Sequence, residues 1–173
     1  MTAYPLRLFG DPVLKERARD VETLDGDLVT LVDGMYETMY AEAGSGLAAP
    51  QIGVRRRIFT YDVGEGPTVI VNPVLVDASS EQSAFDEGCL SIPGLRFEVV
   101  RPERVTVRGV DLHGDEVVIE ADEFLARVVQ HELDHLDGVL VLDRVEPDVR
   151  RQALRELRTR DWWAVASETG HRL

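Results

Sequence analysis

Two histidines four residues apart, His131 and His135, lie in the run QHELDHLDG at 130–138, and Glu132 directly follows the first. Four residues are about one helical turn, so on a helix both imidazoles leave from one face and can reach one cation. His-Glu-x-x-His then has a mechanical logic. The imidazoles hold a divalent ion, while the carboxylate beside it takes a proton from water and passes it to a leaving group. A catalytic metal generally takes three protein ligands and keeps one position for water. Many acids could supply the third ligand, but Cys89 in DEGCLSIPG (86–94) is the first choice and Glu87 its nearest rival. Cys89 lies between a glycine and a small polar stretch, outside any apolar run. Gly88 leaves room for close backbone approach, and Pro93 with Gly94 is expected to turn the chain. A thiolate with two neutral imidazoles suits Zn²⁺ or Fe²⁺.

These side chains need elements to place them. In ADEFLARVVQHELDHLDG (121–138), Asp122 reads as an N-cap and Gly138 as the residue past the helix end. The histidines share the side that carries Val128 and Leu136, so they should face the interior. Upstream, Leu28, Leu31, Val32, Met35 and Met39 are helically spaced in 25–44, with Gly44 as the expected terminator. GSGLAAPQIGV (44–54) reads as a glycine-rich loop or edge segment leading into extended runs at 57–63 and 68–76. Further extended runs at 96–100 and 104–110 precede a hairpin turn at DLHGDE (111–116), which returns through 117–119; His113 on that turn is read as a surface residue. A last helix opens at Pro147, with Val149, Ala153, Leu154 and Leu157 as its apolar side and arginines outside. Strands followed by helices favour an α+β fold. Mixed or antiparallel strands would wrap around a central helix carrying the two histidines, with one helix near each terminus.

The composition is compatible with this picture. A chain of 173 residues is most simply one domain, residues 1–173, with 164–173 as a flexible tail. No apolar run is long enough to span a bilayer, and the N-terminus lacks the pattern of a signal peptide, so a cytoplasmic protein without membrane association is expected. A single cysteine rules out an internal disulfide framework and suits a reducing compartment. A formal net charge of −13 argues against general nucleic-acid binding.

Three separated segments, GSGLAAPQ (44–51), EGCLS (87–91) and QHELDH (130–135), resemble in order and spacing the three signature motifs of the peptide deformylases. The opening FGDPVL, the helix before the first motif and the hairpin before the last extend the likeness over nearly the whole chain, to about Trp163. The resemblance implies an enzyme that removes the N-formyl group from the initiator methionine of newly made proteins and releases formate. By it, Cys89, His131 and His135 are the metal ligands and Glu132 is the acid/base. Gln51 and the Leu90 backbone N–H are the donors to the oxyanion, and Gly46 and Gly88 pair with the peptide. It implies Fe²⁺ as the ion, with Zn²⁺ or another divalent ion depending on handling. Gly46 and Leu90 would admit a formyl hydrogen and reject a methyl; Val128 and Phe124 would line the methionine pocket. Arg96 and Arg101 match recurring arginines, with Arg101 expected to pair with Glu87. One residue departs: Ser45 stands where the family usually has a bulky apolar side chain, so the pocket wall should differ there.

Two other readings compete. One is a metallopeptidase using the same helix motif on internal peptide bonds. The other is a deformylase-like module that has lost catalysis and sits at the ribosome. In either a working or an inactive deformylase, Arg150, Arg151, Arg155, Arg158 and Arg160 on the last helix are a candidate ribosomal contact.

Overall fold

The structure, a computed structural model, describes residues 3–160. The predicted tail at 164–173 and the far end of the expected last helix lie outside them. The helices and strands run α1 (Gly26–Ala41), β1 (Gly46–Ala48), β2 (Ile58–Tyr61), β3 (Thr68–Ala78), β4 (Gln82–Cys89), β5 (Ile92–Pro102), β6 (Val105–Val110), β7 (Glu116–Ala121), α2 (Glu123–Leu136) and α3 (Pro147–Leu157). One antiparallel sheet has the order β1-β2-β3-β6-β7, and β4 pairs with β5 in a separate antiparallel hairpin. The expected α+β class holds. Among the described residues, no helix is long and apolar enough to cross a membrane.

Alternation along the strands sorts the core. Ile58 and Val71 pack with Leu28, Val32, Met35 and Met39 of α1. Their neighbours Phe59 and Ile70 point the other way and pack with Val128, Val129, Leu133 and Leu136 of α2. The hairpin belongs to a third cluster, in which Cys89, Ile92, Phe97 and Val99 meet Ala153 and Leu157 of α3. Every residue of α2 from Ala126 to Leu136 is buried. Its C-terminal end is held by buried Arg57, which donates to Leu136 O at 3.3 Å and to Asp137 Oδ1 at 2.7 Å, a favourable place for a cation.

Several expectations change in detail. Asp122 occupies the N-cap position of α2, but its side chain makes no capping bond. Gly138 has φ +72 as a terminator should, and a Cβ there would lie 2.6 Å from Lys15 O. Gly44 does not take the terminator conformation. Ala43 carries φ +52, and the Gly44 N–H donates back to Met39 O at 2.9 Å. A Cβ at Gly44 would come 2.8 Å from Leu90 Cδ1, so that side chain would have to shift. On α3, Ala153 and Leu157 are buried but Val149 is exposed, because the helix covers the hairpin cluster only with its later turns. Pro93 and Gly94 do not turn the chain. It reverses at Leu90–Ser91, and Pro93, Gly94 and Leu95 lie within β5 without cross-strand partners. Proline has no amide hydrogen to give a ladder, so a bulge is the form it permits.

Candidate active site

The end of β4 and the inward face of α2 meet at three side chains. The ligand atoms of Cys89, His131 and His135 lie within 4.8 Å of one another, and all three residues are buried. Cys89 Sγ is 3.3 Å from His135 Nε2. His131 Nδ1 lies 3.0 Å from Glu87 Oε2, so a neutral His131 donates there and turns its Nε2 lone pair toward the cluster. Glu87, the rival ligand, is instead the support behind His131. It accepts from Arg101 at 2.6 and 2.9 Å and from Arg127 at 3.2 Å. Burial tends to raise its carboxyl pKa, but the bonds from Arg101 and His131 prevail and lower it to about 2.

The donor set fits one divalent cation. Burial works against a charged His131, yet Cys89 and Glu87 hold its pKa well above the usual value, so the spot favours positive charge. Burial and the charges of His131 and Arg101 hold His135 well below its usual value, leaving a neutral imidazole. A thiolate and two imidazoles in mutual reach are a common ligand set for Zn²⁺ and Fe²⁺.

Glu132 lies beside the cluster with Oε2 buried and without a partner among the described residues. Burial, with the charge of Glu87 adding, pushes its carboxyl up to about 7. Gly46 makes room for it: a Cβ at 46 would collide with Glu132 Oε1 and fall 2.9 Å from Cδ. Gly46→Ala is therefore expected to lower kcat for a hydrolysable substrate at least about tenfold by displacing this carboxylate. Steady-state kinetics beside a thermal melt check this; an unchanged kcat would show that the carboxylate position is irrelevant. Gln51 is held by Ala48 N–H, which donates to Oε1 at 2.8 Å and so fixes the amide with Nε2 toward the cluster. Nε2 lies 3.9 Å from Cys89 Sγ and 3.4 Å from Ser91 Oγ.

A pocket of about 600 Å³ opens from this cluster. Ser45, Gly46, Gly88, Leu90, Arg96, Phe124 and Val128 all line it, together with Gln51, Cys89, His131 and Glu132. Thus the structure brings every predicted site residue to one place, with His135 behind the lining. Phe124 is at the rim and substantially exposed, its ring 6.3 Å from that of Phe85. Arg96 donates to Asp86 O at 2.7 Å. His113 is exposed on its hairpin turn, as expected.

Sequence reasoning missed Arg127, Asp134 and Ser91. Arg127 and Asp134 are buried charges that join α2 to the hairpin; Arg101 reaches Asp134 Oδ2 at 2.8 Å, and Arg144 reaches the same carboxylate at 2.5 and 3.0 Å. A signal was available for Arg127. It precedes His131 by one turn, a charged residue on the side of the helix expected to face inward.

A Cys–His–His cluster able to hold a metal ion, a buried glutamate and a shaped pocket fit a metal-dependent hydrolase. The family is narrower than that class. The polypeptide deformylase family model matches residues 3–151, and the chain belongs to this family. The peptide deformylase of Acidothermus cellulolyticus is 48% identical over 162 residues, covering 94% of this chain and 89% of that protein. The crystal structure of peptide deformylase from Thermotoga maritima superposes with a TM-score of 0.82 at 44% identity, covering 84% of this chain and 99% of that one. That from Ehrlichia chaffeensis, in complex with actinonin, gives 0.89 at 38% identity and covers 93% and 99%. These likenesses support a deformylase and neither competing reading.

Proposed function

We propose that this chain hydrolyses the formamide of N-formylmethionyl peptides at the Cys89–His131–His135 cluster, releasing formate and a free amine. The observation that carries the reading is the convergence of three ligand atoms within 4.8 Å beside a buried carboxylate, Glu132, whose Oε2 has no partner among the described residues. Cys89, His131 and His135 would hold a divalent ion, which would supply Lewis acidity and make nearby water more acidic. Glu132 takes the water proton as the new C–O bond forms at the formyl carbon. The C–N bond then breaks, and Glu132 returns the proton to the departing nitrogen, which cannot leave as an amide anion. Burial raises the affinity of this carboxyl for a proton, which suits its return to the leaving nitrogen. Charge gathering on the formyl oxygen is met by Gln51 Nε2 and the Leu90 backbone N–H, each donor contributing on the order of a few kcal/mol. Gly46 and Gly88 leave their backbone open to pair with the peptide, and Arg96 flanks that strand. Val128 and Phe124 form the apolar wall for the methionine side chain, with Ser45 as its polar interruption.

Release of formate from a formyl-Met peptide is the direct test, and its absence from metal-loaded protein would refute the reading. On this reading Gly46 and Leu90 close around the acyl carbon and admit a hydrogen there but not a methyl. Acetyl-Met peptides are therefore expected to have kcat/KM lower on the order of 10–200-fold, the range for one carbon in a close-fitting site. Comparable rates for the two acyl groups would contradict it.

Fe²⁺ is the proposed native ion, with Zn²⁺ or another divalent ion in purified material. Anaerobic purification with metal analysis distinguishes them. A cytoplasmic location follows from a thiolate ligand that must stay reduced and from a substrate that is a nascent chain. Contact with the ribosome through Arg150, Arg151, Arg155, Arg158 and Arg160 belongs to the same proposal. Arg150, Arg151 and Arg160 pair with Asp143, Asp148 and Glu156, which limits the charge they can offer.

A further inference from the structure

The metal ligands are divided between two hydrophobic cores. The apolar residues of α2 (Val128, Val129, Leu133 and Leu136 among them) pack against the five-stranded sheet. Cys89 packs with the hairpin and α3. Polar groups occupy the seam between helix and hairpin. Gln130 Nε2 donates to Pro102 O at 3.0 Å, Arg101 reaches Asp134, and Glu87 reaches His131. Apolar contact tolerates sliding by fractions of an ångström, whereas directional hydrogen bonds fix a separation. The spacing of Cys89 from the two imidazoles therefore depends on this polar seam.

Arg127 spans it most completely. It is 5% exposed and lies one turn before His131. Nη1 donates to Glu87 Oε1 at 3.2 Å and to Val99 O of β5 at 3.0 Å. Nη2 donates to Ser83 O and Oγ of β4 at 2.8 and 3.0 Å. Its guanidinium carbon lies 5.9 Å from the Phe85 ring centroid at the pocket wall. One side chain of the helix thus grips the backbone of both hairpin strands and the carboxylate that orients His131. Such a planar fork of donors is particular to arginine.

We propose that Arg127 is a positioning residue that sets the distance between the hairpin ligand Cys89 and the helix ligands His131 and His135, with Glu87 as its link to His131. This rests on the ligand assignment above. The test is the zinc dissociation constant of the full chain, measured by chelator competition for wild type, Arg127→Met, Arg127→Lys and Cys89→Ser. The visible spectrum of each Co²⁺-loaded form and the melting of each metal-free form accompany it. Arg127→Met is expected to weaken zinc about 10–100-fold, the range for groups that hold a ligand in place, and to shift the Co²⁺ spectrum. Arg127→Lys, which keeps charge beside Glu87 but cannot fork, should fall between it and wild type. A purely structural role would lower the melting temperature of Arg127→Met and leave zinc affinity and spectrum unchanged, which overturns the proposal. If Arg127→Met does not fold, wild-type zinc affinity in Arg127→Lys overturns it alone. Wild-type zinc binding by Cys89→Ser would instead sink the ligand assignment, and with it this inference.

Discussion

Replacing Glu132 with glutamine is expected to lower kcat for formyl-Met peptides by 10²–10⁴-fold, the usual contribution of a positioned acid/base, or about 3–5 kcal/mol of barrier. Glutamine has nearly the same shape, so it still fills the space left by Gly46, where no Cβ fits. It cannot accept and return a proton. Oε2 of Glu132 is buried and has no partner among the described residues, so its affinity for a proton is not spent on a structural bond. KM and zinc content should stay near wild type, because the residue is beside the ligand set and not in it. Steady-state formate release with metal analysis checks both halves. A variant that keeps more than about a tenth of wild-type kcat would remove Glu132 from the chemistry.

Cys89→Ser should cost more. A serine hydroxyl does not ionise in the range where a thiol does, so the site loses its anionic donor and keeps two neutral imidazoles. Changes outside the ligand set already cost 10–100-fold in metal affinity, so loss of a ligand should exceed about 100-fold. Activity should disappear with the metal and return only partly at high zinc concentration. The fold should persist, since Cys89 is one small member of a cluster that includes Phe9, Leu14, Phe97, Val99 and Leu157. Loss of activity with full zinc occupancy would place the cysteine elsewhere in the mechanism.

How far the sequence carries depends on which physical signal each part writes into it. Helix α2 was legible because its histidines, Val128 and Leu136 recur at helical spacing, and burial of 126–136 agrees. Strand β4 was not, because only Glu87 and Cys89 of its residues are buried, one charged and one functional, so no apolar alternation forms. Recognising it would have shown that 87 and 89 share one face, and that one could ligate while the other supports. The bulge at Pro93–Leu95 read as a turn because proline and glycine mark both. The Arg101–Glu87 pair, 14 residues apart, was expected from the resemblance and is present, whereas Arg127 meets Glu87 across 40 residues, and nothing in the local sequence records that this charge will be buried with it. The motifs pointed to the residues proposed to react; the polar seam between helix and hairpin is visible only in three dimensions.

X-ray absorption at the zinc edge of the metal-loaded protein tests the central assignment most directly. One sulfur scatterer at about 2.3 Å and two imidazole nitrogens at about 2.0–2.1 Å are expected from Cys89, His131 and His135. A shell of nitrogen and oxygen with no sulfur would contradict it.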